Sequence, residues 1–269
     1  MRTKSLAGLG IAGLCVAALV AIARPEGGAP GAKDPAAPSS PPGKAEKKSP
    51  AIAEILALVK PNDFEAALLR VAKDYRDWDR VSDHAHMSPT LCWAPPPEGA
   101  QRSESKDDST HGKKLYHLYC SMPNEYSFVP FGQVDAYSRE QPGNPTKAVF
   151  SAGCALVKES WTALEVPIDS VPKVPPGDAD ARETRRAYPA NYLVEQGKAW
   201  KMGEQKDLFI MLRAPNGTEG TDEGWVYGTV TPDGSKVTSS GRVESCMHCH
   251  EDAKFERLFG PNWARREVQ

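Results

Sequence analysis

The chain has 269 residues, of which 40% are hydrophobic and 25% are charged. This composition is that of an ordinary globular protein and leaves enough chain for one sizeable domain. The formal net charge is −2 at pH 7, which gives no electrostatic basis for binding nucleic acid or an anionic membrane surface. We therefore expect no nucleic-acid partner and a small molecule as the ligand.

The N-terminus has the residue pattern of an export signal. Within residues 1–23, basic Arg2 and Lys4 precede a long apolar run that ends in small residues, as in a cleaved signal peptide. The run is also close to the lower limit for spanning a bilayer, so an uncleaved N-terminal anchor is the alternative. Cys15 follows Leu14, where a lipoprotein site needs a small residue, and lipidation is not expected. In either case the remaining chain is predicted to be periplasmic or secreted.

Residues 24–50 are rich in Pro, Ala, Gly, Ser and Lys and contain no aromatic residue. A segment of this composition cannot bury enough apolar surface to fold. We predict a disordered tether here, followed by one folded domain over residues 51–269.

Two helices are predicted at the start of this domain. The first has apolar residues at helical spacing over residues 52–59 and ends before Pro61. The second begins at a capping-box pattern of Asn62 with Glu65 and runs to Asp79. Its apolar positions recur at helical spacing: Phe64, Leu68, Val71, Tyr75 and Trp78. This periodicity favours core packing over cofactor contact for the tyrosine and the tryptophan.

The middle of the domain is predicted to consist of antiparallel strands. A long surface loop is predicted from Asp83 to Lys114, which holds few apolar residues and a triple proline. Loop insertions are predicted at 94–114 and 167–190. Gly153 interrupts a strand candidate and suggests a β-bulge. Strands are predicted at Leu115–Cys120, Ala148–Val166 and Leu208–Leu212, and a hairpin at Gly224–Val230 and Lys236–Val243.

The C-terminal region contains Cys246 and Cys249, three positions apart, with His250 directly after them. This CxxCH spacing is that of a covalently attached c-type haem, because two thiols one helical turn apart each add to a vinyl group of one porphyrin. The imidazole that follows is then carried to the iron as its axial ligand. We predict a short helix from Ser245, as N-cap, to Gly260. N-terminal helices, an antiparallel sheet and a C-terminal haem-attachment helix make an α+β fold.

Other uses of two cysteines at this spacing fit less well. A structural zinc site needs four ligands, and the sequence has no second CxxC pair. A thioredoxin-like pair belongs near the start of a βαβ unit, whereas this pair lies in the C-terminal region. A purely structural disulfide between Cys246 and Cys249 leaves His250 without a role. One covalently bound haem c is therefore the predicted cofactor, and His248 inside the motif is expected to be exposed.

Three further cysteines, Cys92, Cys120 and Cys154, lie outside the motif. In an oxidising compartment two of the three can form a disulfide, and buried free thiols are the alternative. The sequence does not select the pair.

Together these features resemble the cytochrome P-460 family, the lysine-crosslinked mono-haem c-type cytochromes, and the related beta-type cytochromes c prime. The resemblance rests on the strand-rich middle, on the segment Ala-Leu-Val-Lys-Glu-Ser-Trp, and on the C-terminal CxxCH followed by a phenylalanine. In recognisable motifs it covers residues 148–260. It implies a five-coordinate haem with an open distal face, His250 as the proximal ligand and Lys158 bonded to the haem edge. The long tether and the two loop insertions depart from the family pattern.

Lys158 also has a simpler interpretation. Lysines are mostly exposed in proteins, so a solvated strand lysine is the alternative to a haem cross-link. Strand alternation places Lys158 on the face of Leu156 and Ser160, opposite Val157 and Trp161. The sequence leaves both interpretations open.

The resemblance implies an enzyme that oxidises hydroxylamine or a similar small nitrogen compound and passes electrons to a redox partner protein. One alternative is a nitric oxide-binding protein like the beta-type cytochromes c prime, without enzymatic activity. Another is an electron-transfer cytochrome whose sixth ligand is a methionine, although the high strand content disfavours it. The candidates for that ligand are Met87, Met122, Met202 and Met211. The sequence leaves open whether the protein forms a homodimer.

Overall fold

The structure is a computed structural model of the chain. It describes residues 52–87, 93–94, 99–103, 111–129, 150–173, 188–253 and 255–260. The predicted signal peptide or anchor at 1–23, the tether at 24–50 and most of the predicted insertion at 167–190 lie outside the described residues. Within the part of the chain that is described, no helix is both long and apolar enough to cross a membrane.

The described residues form a mixed fold of helices and antiparallel strands, which confirms the predicted α+β class. The helices are α1 (Ile52–Leu58), α2 (Glu65–Asp74), α3 (Pro123–Tyr126) and α4 (Glu244–His250). The strands are β1 (Asp79–Arg80), β2 (His86–Met87), β3 (Trp93–Ala94), β4 (Gln101–Arg102), β5 (Lys114–Cys120), β6 (Ala155–Val166), β7 (Tyr192–Glu195), β8 (Lys198–Gln205), β9 (Leu208–Arg213), β10 (Trp225–Val230) and β11 (Val237–Gly241).

Strand β6 is the centre of the main sheet. It pairs with β5 along one edge. Along its other edge it pairs first with β9, over Ala155–Lys158, and then with β8, over Trp161–Val166. The sheet continues from β9 through β10 to β11, and all of these pairings are antiparallel. The predicted strands at Leu115–Cys120 and Leu208–Leu212 and the predicted hairpin of β10 and β11 are confirmed. The strand predicted at Ala148–Val166 is confirmed from Ala155 onward.

The two faces of this sheet pack against different elements. We name them the α2 face and the α4 face. The core of the α2 face joins α1 and α2 to alternate residues of the central strands, among them Ile55, Leu68, Val71, Val157, Ile210 and Val226. The core of the α4 face contains the intervening residues and the C-terminal turn, among them Leu156, Met211, Trp225, Tyr227, Phe255 and Leu258. Each fully buried Leu, Ile or Val contributes about 1.5–3 kcal/mol.

The start of α2 differs from the predicted capping box. Phe64 precedes the helix, and no side chain caps it. Asn62 instead has a φ of +57°, and its side-chain amide donates to Glu219 Oε2 at 3.4 Å. The prediction was wrong because Asn62 fixes a left-handed turn to a distant loop instead of the helix end.

The end of α2 also differs from the prediction. The α-helix stops at Asp74 and a three-residue 3₁₀ turn follows it. Trp78 is extended, with ψ at 168°, so the helix does not reach Asp79. Tyr75 and Trp78 are nevertheless buried in the core of the α2 face, which confirms that they serve packing.

The predicted surface loop from Asp83 to Lys114 is wrong in part. Its described residues include the short strands β2, β3 and β4, and β4 pairs with β5. His86 is fully buried, with Nε2 at 3.1 Å from the Val81 carbonyl oxygen, and burial lowers its pKa to about 4. Backbone pairing and a few single buried groups hold the described residues of this stretch, and neither leaves a periodic pattern in the sequence.

Gly153 lies in a turn before β6 and not in a β-bulge. Its φ is +90°, and a Cβ at this position would lie 2.3 Å from Cγ2 of Ile52 in α1. Glycine is therefore required both by the backbone conformation and by the close approach of α1. The register shift in β6 occurs elsewhere, between Trp161 and Ala163.

The hairpin of β7 and β8 was not predicted. Gln196 and Gly197 connect the two strands with φ values of +50° and +72°, as in a two-residue type I′ turn. The Gln-Gly pair between two strand-like segments was the available signal. The buried Trp200 of β8 packs with Leu115 and Ala100 in a third apolar cluster.

The two described cysteines outside the motif lie side by side. Cys120 and Cys154 are both fully buried in the core of the α4 face. A hydrogen bond between the thiols, together with burial, raises the pKa of Cys154 well above its ordinary value. Cys92 lies outside the described residues. Of the pairings that the sequence left open, the structure therefore brings Cys120 and Cys154 together as free thiols.

Candidate functional site

Helix α4 carries the CxxCH motif against the α4 face of the sheet. Val243 precedes the helix and no side chain caps it, so the predicted N-cap at Ser245 is wrong. Cys246 is half-buried and packs against the core of the α4 face, whereas Cys249 is exposed. Both cysteines are free thiols. His248 is exposed, as expected.

The chain turns back soon after α4 instead of continuing as a helix to Gly260. Phe255 and Leu258 pair with each other in an antiparallel bridge, and both are buried. Between them, Glu256 and Arg257 have φ values of +47° and +65°. Left-handed residues other than glycine cost about 1–3 kcal/mol each, so the surrounding contacts must hold this turn. The longer helix was wrongly predicted because the apolar residues after the motif anchor the turn.

His250 is held through its Nδ1 atom, which lies 2.5 Å from the backbone oxygen of Arg257. Nδ1 therefore carries the proton and donates it, and the lone pair is on Nε2. Burial lowers the pKa of His250 below its ordinary value, against the opposing effect of the Arg257 carbonyl. The ring is thus neutral at pH 7, with Nε2 available as a metal ligand. It packs against the rings of Tyr227 and Phe259, at centroid distances of 5.4 and 5.3 Å.

A buried ion pair fixes the residue that accepts this hydrogen bond. Arg257 Nη2 lies 3.2 Å from Asp222 Oδ1 and 3.4 Å from Glu223 Oε1. The other oxygen of Asp222 accepts the hydroxyl hydrogen of Tyr227 at 3.0 Å. Burial, with this carboxylate as a second cause, raises the pKa of Tyr227 well above its ordinary value. Arg257 Nε is buried and has no hydrogen-bond partner.

Lys158 lies on the α4 face, in register with Phe209 of β9. Its side chain is half-buried, with Nζ at 3.4 Å from Ser103 Oγ and 4.2 Å from the centroid of the Tyr116 ring. Burial, and to a smaller extent the positive charge of Lys114, lower the pKa of Lys158 to about 7. At pH 7 the neutral amine is therefore far more populated than it is for an exposed lysine. This is not the environment of a solvated lysine.

The structure brings Lys158 and the motif histidine into the same region. The positive charge of Lys158 contributes to the lowered pKa of His250, so the two side chains interact electrostatically. Leu156 shares the α4 face with Lys158, while Val157 belongs to the core of the α2 face. The alternation predicted for this strand is confirmed.

Glu159 follows Lys158 and points to the opposite face of the sheet, where it is buried. Its Oε1 accepts hydrogen bonds from Tyr75 Oη at 2.8 Å, Arg76 Nη2 at 3.0 Å and Gln205 Nε2 at 3.2 Å. These donors come from the turn after α2 and from the end of β8. The carboxylate therefore fixes the middle of β6, and with it the position of Lys158.

Glu159→Gln is expected to lower the free energy of unfolding by about 1–3 kcal/mol, because a charged hydrogen-bond acceptor is lost from a buried site. Urea denaturation of the purified protein measures this change. Glu165→Gln is the matched control, since Glu165 is on the same strand but 62% exposed, with Lys198 at 3.8 Å. Its effect should stay within about 0.5 kcal/mol. Equal effects of the two substitutions would contradict the anchoring role of Glu159.

Several residues around Lys158 were not singled out from the sequence. The ring of Phe209 lies 4.4 Å from the ring of His111 and 5.2 Å from Lys114 Nζ. Phe209, Lys114 and Tyr116 come close to Lys158 only because β5 and β9 flank β6 in this register. The pairing is long-range, so no local signal could have identified them.

The candidate methionine ligands lie in different places. Met211 is buried on the α4 face, in register with Leu156 and Tyr227. Met122 packs against the same core, and Met202 packs in the third apolar cluster. The side chain of Met87 lies outside the described residues. Of the described candidates, Met211 is the one in a strand beside Lys158 and Tyr227.

The donors of this region fit a covalently attached haem. Two free thiols lie one helical turn apart, and His250 has an available Nε2 beside them. The unpartnered, buried Nε–H of Arg257 suits a carboxylate such as a haem propionate. In the described ranges as a whole, no group of three or more His, Cys, Asp or Glu side chains is placed to hold a metal ion, so His250 is the one protein ligand considered for the iron.

No protein-family model and no curated protein matches this chain.

Proposed function

We propose that the chain is an exported mono-haem c-type cytochrome of the P-460 type that binds or oxidises small nitrogen compounds such as hydroxylamine or nitric oxide. The observation that carries this proposal is the position of Lys158. A half-buried lysine with a pKa of about 7 lies on the face where the CxxCH helix packs, and its charge acts on His250. A haem at this site would supply an iron that binds the substrate and accepts its electrons.

The two motif thiols would hold the haem covalently without net oxidation. Each sulfur would bond to one carbon of a vinyl group, and the thiol proton would go to the other carbon of that double bond. Both reactions require free thiols, and both cysteines are free. Cys249 is exposed, so its thiol is open to solvent. Cys246 is partly buried and packs against the core of the α4 face.

His250 is the axial ligand in this proposal. Its Nδ1–H donates to the Arg257 carbonyl, which fixes the ring and makes Nε2 a better electron donor to the metal. Because the ring is already neutral at pH 7, no proton has to leave before it binds.

Lys158 would supply the nucleophile that the resemblance to this family implies. Its neutral amine would form a C–N bond at the edge of a bound porphyrin, in place of one N–H and one ring C–H. Two protons and two electrons would be released to an oxidant of the peroxide class. The lowered pKa of Lys158 favours this chemistry because only the uncharged amine has a free lone pair. A redox partner protein would receive the electrons of substrate oxidation.

The purified ferrous protein is expected to be five-coordinate and to bind carbon monoxide without displacement of a side chain. A carbon monoxide titration followed by optical spectroscopy measures this, and Met211→Leu should leave the spectrum unchanged. A low-spin ferrous spectrum that this substitution abolishes would replace the proposal with a methionine-ligated electron carrier. An ordinary five-coordinate spectrum with an unmodified Lys158 would favour the nitric oxide-binding protein instead.

A further inference from the structure

The residue that accepts the His250 hydrogen bond has a backbone conformation that needs support. Arg257 and its neighbour Glu256 are both left-handed, and neither is glycine. The bridge between Phe255 and Leu258 closes this turn. The position of the Arg257 carbonyl therefore depends on whatever holds the arginine in place.

The Asp222 carboxylate is the contact that can hold the side chain of Arg257 in place. The side chains of Arg257 and Asp222 are only 16% and 4% exposed, and Nη2 lies 3.2 Å from Oδ1. Glu223 also reaches Nη2, at 3.4 Å, but its side chain is 73% exposed. Solvent screens an exposed pair of this kind, whereas a buried pair keeps its geometry and its field.

Asp222 is connected to His250 by two routes. One runs through Arg257, whose carbonyl oxygen lies 2.5 Å from His250 Nδ1. The other runs through Tyr227, whose hydroxyl donates to Asp222 Oδ2 at 3.0 Å and whose ring lies 5.4 Å from the imidazole. A buried negative charge therefore lies near His250 and acts on it electrostatically.

We propose that Asp222 and Arg257 are positioning residues that hold the acceptor of the His250 hydrogen bond and thereby set the reduction potential of the bound iron. The inference rests on the proposed function, in which His250 is the axial ligand. A firm hydrogen bond from Nδ1 makes the imidazole a stronger donor, and a nearby carboxylate favours the more positive ferric state. Both effects lower the potential.

The test is the Asp222→Asn variant of the haem-loaded protein. At a fixed electrode potential, we expect the ratio of ferrous to ferric protein to rise about tenfold, an upward shift of the midpoint of about 59 mV. The iron–histidine stretching frequency, measured by resonance Raman spectroscopy, should fall as the hydrogen bond loosens. Glu223→Gln is the matched control, because it removes the exposed partner of the same arginine, and both readouts should stay at the wild-type values.

A second variant covers the case in which Asp222→Asn does not fold. Arg257→Lys keeps the positive charge and the backbone carbonyl but loses the planar guanidinium. It should shift both readouts in the same direction by a smaller amount. A variant could melt at a lower temperature and yet keep the wild-type reduction potential and stretching frequency. That result would overturn the inference and leave the proposed function standing. A wild-type protein without covalent haem would overturn both.

Discussion

Lys158→Ala is expected to remove hydroxylamine oxidation while haem stays covalently attached through the motif. A nitrogen bonded to the porphyrin edge perturbs the conjugated ring, so the wild-type ferrous Soret band should lie well to the red of an ordinary c haem. The variant should show the ordinary position and still bind carbon monoxide, because His250 is untouched. Optical spectra and a hydroxylamine oxidation assay measure these changes. In the wild type, mass spectrometry should find Lys158 and the motif in one haem-linked peptide.

Two control variants test whether the expected effect depends on the amine of Lys158 and not on its positive charge. Lys158→Arg keeps the positive charge, but a guanidinium stays protonated and cannot act as the nucleophile, so it should behave like the alanine variant. Lys198→Ala removes a strand lysine that is 61% exposed and should change neither spectrum nor activity. Because the pKa of Lys158 is about 7, the neutral fraction rises from pH 6 to pH 8, and cross-linking should become faster over that range. An unmodified Lys158 peptide with an ordinary Soret band in the wild type would exclude this mechanism.

The double substitution Cys246→Ser, Cys249→Ser is expected to abolish covalent haem completely. A serine hydroxyl does not add to a vinyl group as a thiol does, and coordination by His250 alone does not survive denaturation. Denaturing electrophoresis with a haem stain, together with the intact mass, measures the loss. Cys120→Ser is the matched control, since this buried thiol lies outside α4 and its replacement should leave the stain intact. Haem retained in the double variant would show that the cofactor is attached elsewhere.

The sequence predicted those features that depend on local pattern. The spacing of apolar residues in α1 and α2, the strands β5 and β9 and the Pro-Asp-Gly turn before β11 each involve neighbours in the chain, and each is confirmed. The burial of Tyr75 and Trp78 followed from the same periodicity. The CxxCH motif is local as well, which is why Cys246, Cys249 and His250 could be identified as candidates before the fold was known.

The remaining features depend on contacts between distant parts of the chain. Asn62 is fixed by Glu219, and Gly153 is required by the approach of Ile52. The register that sets Phe209 beside Lys158 joins strands separated by a long connection. The turn at Arg257 uses left-handed residues without glycine, so the usual turn residues give no warning of it. The environment of Lys158 could therefore not be deduced from its strand alone.

The opposite orientations of Lys158 and Glu159 have a consequence for folding. If β6 slipped by one residue against its neighbours, every side chain would change faces. An ammonium group would then enter the cluster of Tyr75 and Arg76, and a carboxylate would take its place on the face of α4. This slip would leave both buried charges without suitable partners, so it is strongly disfavoured. The two adjacent residues thus select a single alignment of the central strand, and a chain that completes its core has already placed the amine of Lys158 on the side of the motif.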